Sequence, residues 1–316
     1  MQIQPTKILV CGSLAMDHLL RHSGSFKTYQ ETYEVEAMNA SLPISGYRTC
    51  FGGCGGNIAY GLGTLGVPTV LLSHAGRDFR DRYEKHLIQH DVDCTYVAID
   101  QNAEFSARCT ILGDDFGNQI TGFYPGQADS KLRSPANIVC EQSGADFGLL
   151  GPEAPKLMLK QAAELHHAGV PFIFDPGQWI SEFNHSLLNK MLSFNPWVFG
   201  NEHELDVMTT LLEIDIAALA ERSPVVVRTR GAEGLDLSIG GEFRFIQAEP
   251  TQAIADTTGS GDALRAGFLF GLYHGLDLVQ SAQLGTVVAA RSVEHVDPQG
   301  WTISTNELLA TLNPMN

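Results

Sequence analysis

The chain has 316 residues, enough for one large α/β unit with an appendage or for two smaller domains. Hydrophobic residues make up 44% and charged residues 18%, which excludes a disordered chain. The net charge is −16 with no block of Lys or Arg, which excludes a surface built for nucleic acid or an anionic membrane.

In chain order, residues 8–11 form a compact apolar strand. Residues 19–50 are mostly polar and lack a helical period. Residues 57–65 read as a helix ending at Gly66, 69–73 as a strand, and 79–90 as a charged helix. Residues 106–112 and 118–124 alternate apolar and polar side chains, as in a hairpin closed by 113–117. Strands at 146–150 and 172–174 flank a helix at 156–167. Strands follow at 197–199 and 225–228, and 259–274 and 278–295 are consecutive helices. Short strands alternating with longer helices predict βαβ units and a parallel sheet. The two stretches that break this rhythm, about 17–50 and 104–126, are expected to form a small antiparallel sheet beside the main body.

Six cysteines, at 11, 50, 54, 94, 109 and 140, contain no CxxC pair. They read as free thiols in a reducing compartment. The polar start is unlike a signal peptide, and no stretch has the roughly 18 apolar residues of a membrane span. A soluble, cytoplasmic protein is expected, with no nucleic-acid or membrane partner.

The densest chemical signal is Asp256-Thr-Thr-Gly-Ser-Gly-Asp262-Ala-Leu-Arg-Ala-Gly-Phe268. Gly259, Ser260 and Gly261 end a loop and open a helix. Backbone N–H groups there can converge on an anion, aided by the helix dipole. Asp262 sits in the first turn, placed to accept a proton from an attacking hydroxyl. On Gly-x-Gly-Asp alone, an acid that merely favours the helix dipole is the better reading. The full string reverses that preference.

This string resembles the C-terminal signature of the ribokinase-like sugar and nucleoside kinases, the PfkB family, with Ser260 where the family usually has Ala. Phe51-Gly-Gly-Cys-Gly-Gly-Asn57-Ile-Ala59 resembles its N-terminal Gly-Gly signature. Gly12-Ser-Leu-Ala-Met-Asp17, Asn201-Glu-His-Glu204 and Thr229-Arg-Gly231-Ala-Glu-Gly234 are looser matches in the family's order. The resemblance implies a three-layer α/β/α fold over residues 1–316, with a mostly parallel central sheet and a small β-sheet lid. It implies that Asp17, Gly53, Cys54 and Asn57 hold the substrate's hydroxyls. It places Asn201, Glu204, Thr229, Gly231 and Gly234 around the nucleotide of ATP, with Glu204 reaching Mg²⁺ through water. Asp256 and Thr258 match positions near which some members bind a monovalent cation such as K⁺. Asp262 would be the base, and the amides of 259–261 the anion hole.

The stretches 51–60 and 115–126 resemble the adenosine-kinase-like branch. They imply transfer of the γ-phosphate of ATP to the 5′-hydroxyl of a nucleoside, adenosine first. A sugar kinase for ribose or fructose and a non-catalytic binding relative are the alternatives. Asp262 speaks against the second, and the missing GxGxxG against a dinucleotide oxidoreductase. Phe105, Phe123 and Tyr124 are candidates for contact with the base. Asp175-Pro-Gly-Gln178 departs from the family's more usual Asp-Pro-Asn. Arg265 is read as approaching phosphate or lying on a solvated helix face. His86, His166 and His167 are read as solvated, and Trp179, Trp197 and Trp301 as core or rim. A monomer or a homodimer is compatible with the sequence.

Overall fold

The computed structural model describes residues 3–28, 41–116 and 118–312. β1 (Ile8–Cys11) is apolar and buried throughout, so both faces of the sheet around it must be covered. It pairs in parallel with β4 (Thr69–Ala75) on one side and β9 (Phe147–Leu150) on the other. Beyond β9 lie β10 (Phe172–Phe174), β11 (Trp197–Asn201) and β12 (Val225–Thr229), all parallel. β5 (Val92–Asp93) and β6 (Val97–Ile99) both pair with β4. β13 (Gly234–Ile239) and β14 (Glu242–Gln247) close the other edge as an antiparallel hairpin. That hairpin was not anticipated from the sequence. Its outer strand is exposed at nearly every position and carries no core signal.

Helices cover both faces. On one side Ile58, Tyr60 and Leu62 of helix Cys54–Thr64 pack with Phe268 and Phe270 of helix Ser260–Tyr273 and Leu284 of helix Leu278–Val293. On the other, Met158, Leu165, Leu188 and Met208 fill a second core. The result is the expected three-layer α/β/α arrangement. Trp197 and Trp301 are core residues, as expected.

The second sheet is formed by β2 (Ala15–His22), β3 (Gly46–Gly52), β7 (Ala107–Asp114) and β8 (Gln119–Tyr124). Its order is β3-β2-β7-β8, with a parallel centre and antiparallel outer pairs. It therefore comes from the two stretches expected to form it, though it is mixed rather than purely antiparallel. Residues 29–40 of the first stretch and Gly117 of the second lie outside the described residues. β2 begins at Ala15, earlier than expected, so Asp17 lies on the sheet itself.

Two helices also differ from expectation. The one expected at 57–65 starts at Cys54, because Gly53 (φ 84°) turns the chain sharply after β3. The one expected at 79–90 is a 3₁₀ turn, Arg77–Arg80, and a helix, Tyr83–Gln89, parted by Arg82 at φ −136°.

Candidate functional site

The carboxyl end of β1 meets helix Cys54–Thr64 backbone to backbone. A Cβ on Gly12 would come within 2.8 Å of Gly55 Cα, so this contact exists only between glycines. It brings Ser13, Leu14, Gly53 and Cys54 to the floor of a cavity of about 500 Å³. The second sheet contributes Asp17, Ala107, Cys109 and Phe123, and the start of helix Ser260–Tyr273 contributes Gly259 and Asp262. The cavity's size suits a nucleoside-sized ligand.

Gly259 caps that helix in the left-handed region (φ 77°), which turns the first-turn N–H groups toward the cavity end. Asp262 Oδ2 accepts from Asn57 Nδ2 at 2.8 Å. Asn57 Oδ1 in turn accepts from Gln299 Nε2 at 2.8 Å, and Gln299 Nε2 also donates to Tyr83 Oη at 2.6 Å. Tyr83 Oη donates to Gly52 O at 2.8 Å. This chain of contacts fixes which way the Asn57 amide points. Asn57 also lines the cavity, so its amide is held by Asp262 and Gln299 while keeping a second hydrogen and a second lone pair. Burial raises the Asp262 carboxyl to about 6, opposed by the Asn57 hydrogen bond and the Arg265 charge.

Arg265 corrects the sequence reading. It is only 5% exposed, and Nε donates to Asp175 Oδ2 at 2.7 Å while Nη1 donates to Gly261 O at 3.0 Å. A solvated helix face does not describe it; it ties the turn carrying Asp262 to the end of β10. Its signal in the sequence was the one positive charge in a helix that is small and apolar beyond Asp262, which demands a partner. Asp175, following the apolar run of β10, is that partner. Gln299 carried no comparable signal.

Asp17 reaches the cavity from β2, and burial pushes its carboxyl up to about 6, with the Asp297 charge adding to the rise. A Cβ on Gly52 would overlap the Asp17 carboxylate. Gly52→Ala should therefore displace Asp17 while leaving the core alone. Acceptor KM should rise by about tenfold, the worth of one good hydrogen bond to a charged group, with kcat nearly kept. Steady-state kinetics with varied acceptor check this.

The residues assigned to the nucleotide lie apart from the cavity. Asn201 at the end of β11 is in register with Thr229 at the end of β12. Asn201 and Glu204 form a reciprocal cap: Glu204 N donates to Asn201 Oδ1 at 2.9 Å, and Asn201 N donates to Glu204 Oε2 at 2.8 Å. Their i, i+3 spacing thus serves a helix start. Gly231 opens a 3₁₀ turn and Gly234 begins β13, so this stretch links the parallel strands to the edge hairpin. Asp256 Oδ1 accepts from Thr258 N at 2.8 Å, which shapes the loop before Gly259. Thr258 lines the cavity.

Of the candidate aromatics, Phe123 lines the cavity, as does Trp179. Phe105 instead lies against the Arg108 guanidinium, 3.9 Å from its ring centre. His86 is not solvated: it stacks on Phe51 at 4.6 Å and Tyr60 at 5.3 Å. His166 and His167 are exposed, as expected. All six cysteines are free. No helix among the described residues is long and apolar enough to cross a membrane.

Among the described residues, no group of three or more His, Cys, Asp or Glu side chains converges on a metal position. The donors do suit a hydrated Mg²⁺ brought in by phosphates, which needs only one or two carboxylates. Asp175 Oδ1 is buried without a partner, and Glu204 lies close enough to feel the charges of Asp175 and Arg265.

Residues 6–305 match the model of the pfkB family carbohydrate kinases. The nucleoside kinase of Methanocaldococcus jannaschii is 30% identical over 258 residues, covering 81% of this chain and 83% of the relative. The Burkholderia thailandensis nucleoside kinase in complex with inosine superposes with a TM-score of 0.84 at 29% identity, covering 96% of this chain and 97% of that one. Its complex with ADP and inosine gives a TM-score of 0.82 at 29% identity, covering 98% and 97%.

Proposed function

The chain belongs to the pfkB family of carbohydrate kinases, and from that premise we propose that this ATP-dependent kinase phosphorylates the 5′-hydroxyl of a purine nucleoside. The observation that carries the reading is the Asp262 carboxylate, half-buried beside a helix N-terminus at one end of a nucleoside-sized cavity. The remaining cavity wall includes Ala128, Leu157, Phe123 and Trp179, which offer a base apolar and aromatic faces. A free sugar would leave that half unfilled. The likeness to kinases named for nucleosides, one of them solved with inosine, supports the same choice. Adenosine and inosine are the first acceptors to test.

Asp17 and the Gly53–Cys54 backbone hold the ribose. Asn57 and Gln299 orient Asp262, which takes the 5′-hydroxyl proton as that oxygen attacks the γ-phosphate. The amides of 259–261 stabilise charge on the transferring group. Asn201, Glu204, Thr229, Gly231 and Gly234 lie at the strand ends where the nucleotide of ATP would extend. Mg²⁺, held through water by Glu204 and Asp175, would neutralise charge on the phosphate oxygens. Asp256 and Thr258 are proposed for a monovalent cation.

A base must be unprotonated to accept a proton. The turnover of the bound complex should therefore rise with pH to a plateau, with its midpoint near 6. Asp17 should impose a limb at similar pH on acceptor binding. The stability effect of Asp262 has the opposite sense. Its folded value lies above the ordinary 3.8 of an aspartate, so its stabilisation is full at lower pH and is lost as pH rises through about 6. Separate pH profiles of kcat and kcat/KM check the assignment. Phosphorus NMR of the product, showing coupling to a methylene, checks that the 5′ position is the one phosphorylated.

A further inference from the structure

One wall of the cavity holds a polar cluster that the chemistry at Asp262 does not use. His74 on β4 and Glu153, just past β9, flank the end of β1, and both line the cavity. Arg133 reaches between them. Its Nη1 donates to Glu153 Oε2 at 2.6 Å, and its Nη2 donates to Glu153 Oε1. Its Nε donates to His74 Nδ1 at 3.0 Å. Arg133 and Glu153 are 6% and 5% exposed. A buried ion pair contributes little net stability, but this one determines the state of a third group.

A guanidinium has donors only. His74 Nδ1 must therefore accept, and the ring's proton resides on Nε2. Burial, reinforced by the Arg133 charge, lowers the imidazole to about 4 against a weaker pull from Asp129, so the ring is neutral at ordinary pH. Among the described residues, Nε2 has no protein partner. His74 thus brings one fixed N–H donor to the cavity wall.

Its place along the sheet matters as much. The proposed nucleotide residues end β11 and β12, and Asp262 bonds across to Asn57 nearer the centre. β4 lies four strands beyond β11, roughly 19 Å at about 4.8 Å per strand. A nucleoside with its 5′-hydroxyl at Asp262 and its ribose at Asp17 extends its base toward that end.

We propose that His74 is a specificity-determining residue whose Nε2–H donates to an acceptor atom on the edge of the base. The cavity then selects nucleosides that present a ring nitrogen or a carbonyl oxygen at that point. The proposal rests on the nucleoside-kinase reading above.

The test compares wild type, His74→Phe and His74→Asn on a purine nucleoside that turns over and on analogues lacking one acceptor each. For adenosine the analogues are the 1-, 3- and 7-deaza forms; for inosine they are the 3- and 7-deaza forms, plus purine riboside, which lacks the carbonyl oxygen. On wild type, one analogue should lose about 10- to 100-fold in kcat/KM, the cost of leaving a buried donor unpaired. His74→Phe should impose a similar loss on the parent and none on that analogue. The loss should fall mainly on KM. His74→Asn keeps one donor and one acceptor and should recover part of the discrimination, which separates recognition from a folding defect. If His74→Phe lowers parent and analogues equally, or His74→Asn restores none of the discrimination lost in His74→Phe, the proposal is overturned. If wild type phosphorylates ribose and no nucleoside, the nucleoside reading itself falls and takes this proposal with it.

Discussion

Asp262→Asn should cut turnover by about 10²- to 10⁴-fold while leaving nucleotide binding nearly intact. The substitution keeps size and shape but removes the only proton acceptor at that position. Asn57 already donates to Asp262 Oδ2 at 2.8 Å, so an amide at 262 can present its oxygen to the same donor. The fold should therefore survive, and the loss should be one of chemistry. The check is kcat by ADP release beside a direct measure of ATP binding. An Asn variant with near-normal turnover would remove Asp262 from the role of base. A variant that loses ATP binding in proportion would make it a binding residue.

Arg265→Leu should be the most destabilising single change in the site. It leaves the Asp175 carboxylate buried with no cation, where Nε now donates at 2.7 Å. Breaking one side of a buried pair costs about 3–5 kcal/mol. At roughly 2.1 cal/mol/K of unfolding entropy per residue, that lowers Tm by about 5–8 °C. The same change removes a charge that favours ionised Asp262, so the acid limb of kcat should move above its wild-type midpoint. The double variant Asp175→Leu/Arg265→Leu should recover much of the stability, because no unpaired charge remains. Thermal melts of the three variants beside pH profiles check both effects. A single variant as stable as wild type would contradict the buried-pair account.

The central strands were legible because a strand buried on both faces reads as an unbroken apolar run, as Val225–Val227 does. The edge hairpin was not, since its outer strand faces solvent at every position but Ile246. The glycine-rich turns were legible because Gly53 and Gly259 occupy positive φ. Their positions marked the cavity floor and the start of the Asp262 helix. Partnerships were harder to read. Asn57 stands out in the sequence, but its hydrogen bond with Gln299, 242 residues away, does not. Arg265 and Asp175 stand 90 residues apart, and Arg133, His74 and Glu153 come from three separate segments. Such pairings depend on tertiary geometry that no local pattern encodes.

The most direct measurement is ADP release with ATP and Mg²⁺ over a panel of adenosine, inosine, guanosine, cytidine, ribose and fructose. The account predicts turnover on a purine nucleoside far above either sugar, lost in Asp262→Asn. Turnover on a free sugar alone would contradict the assigned acceptor while leaving the kinase chemistry in place. Equal rates in wild type and Asp262→Asn would contradict the mechanism itself.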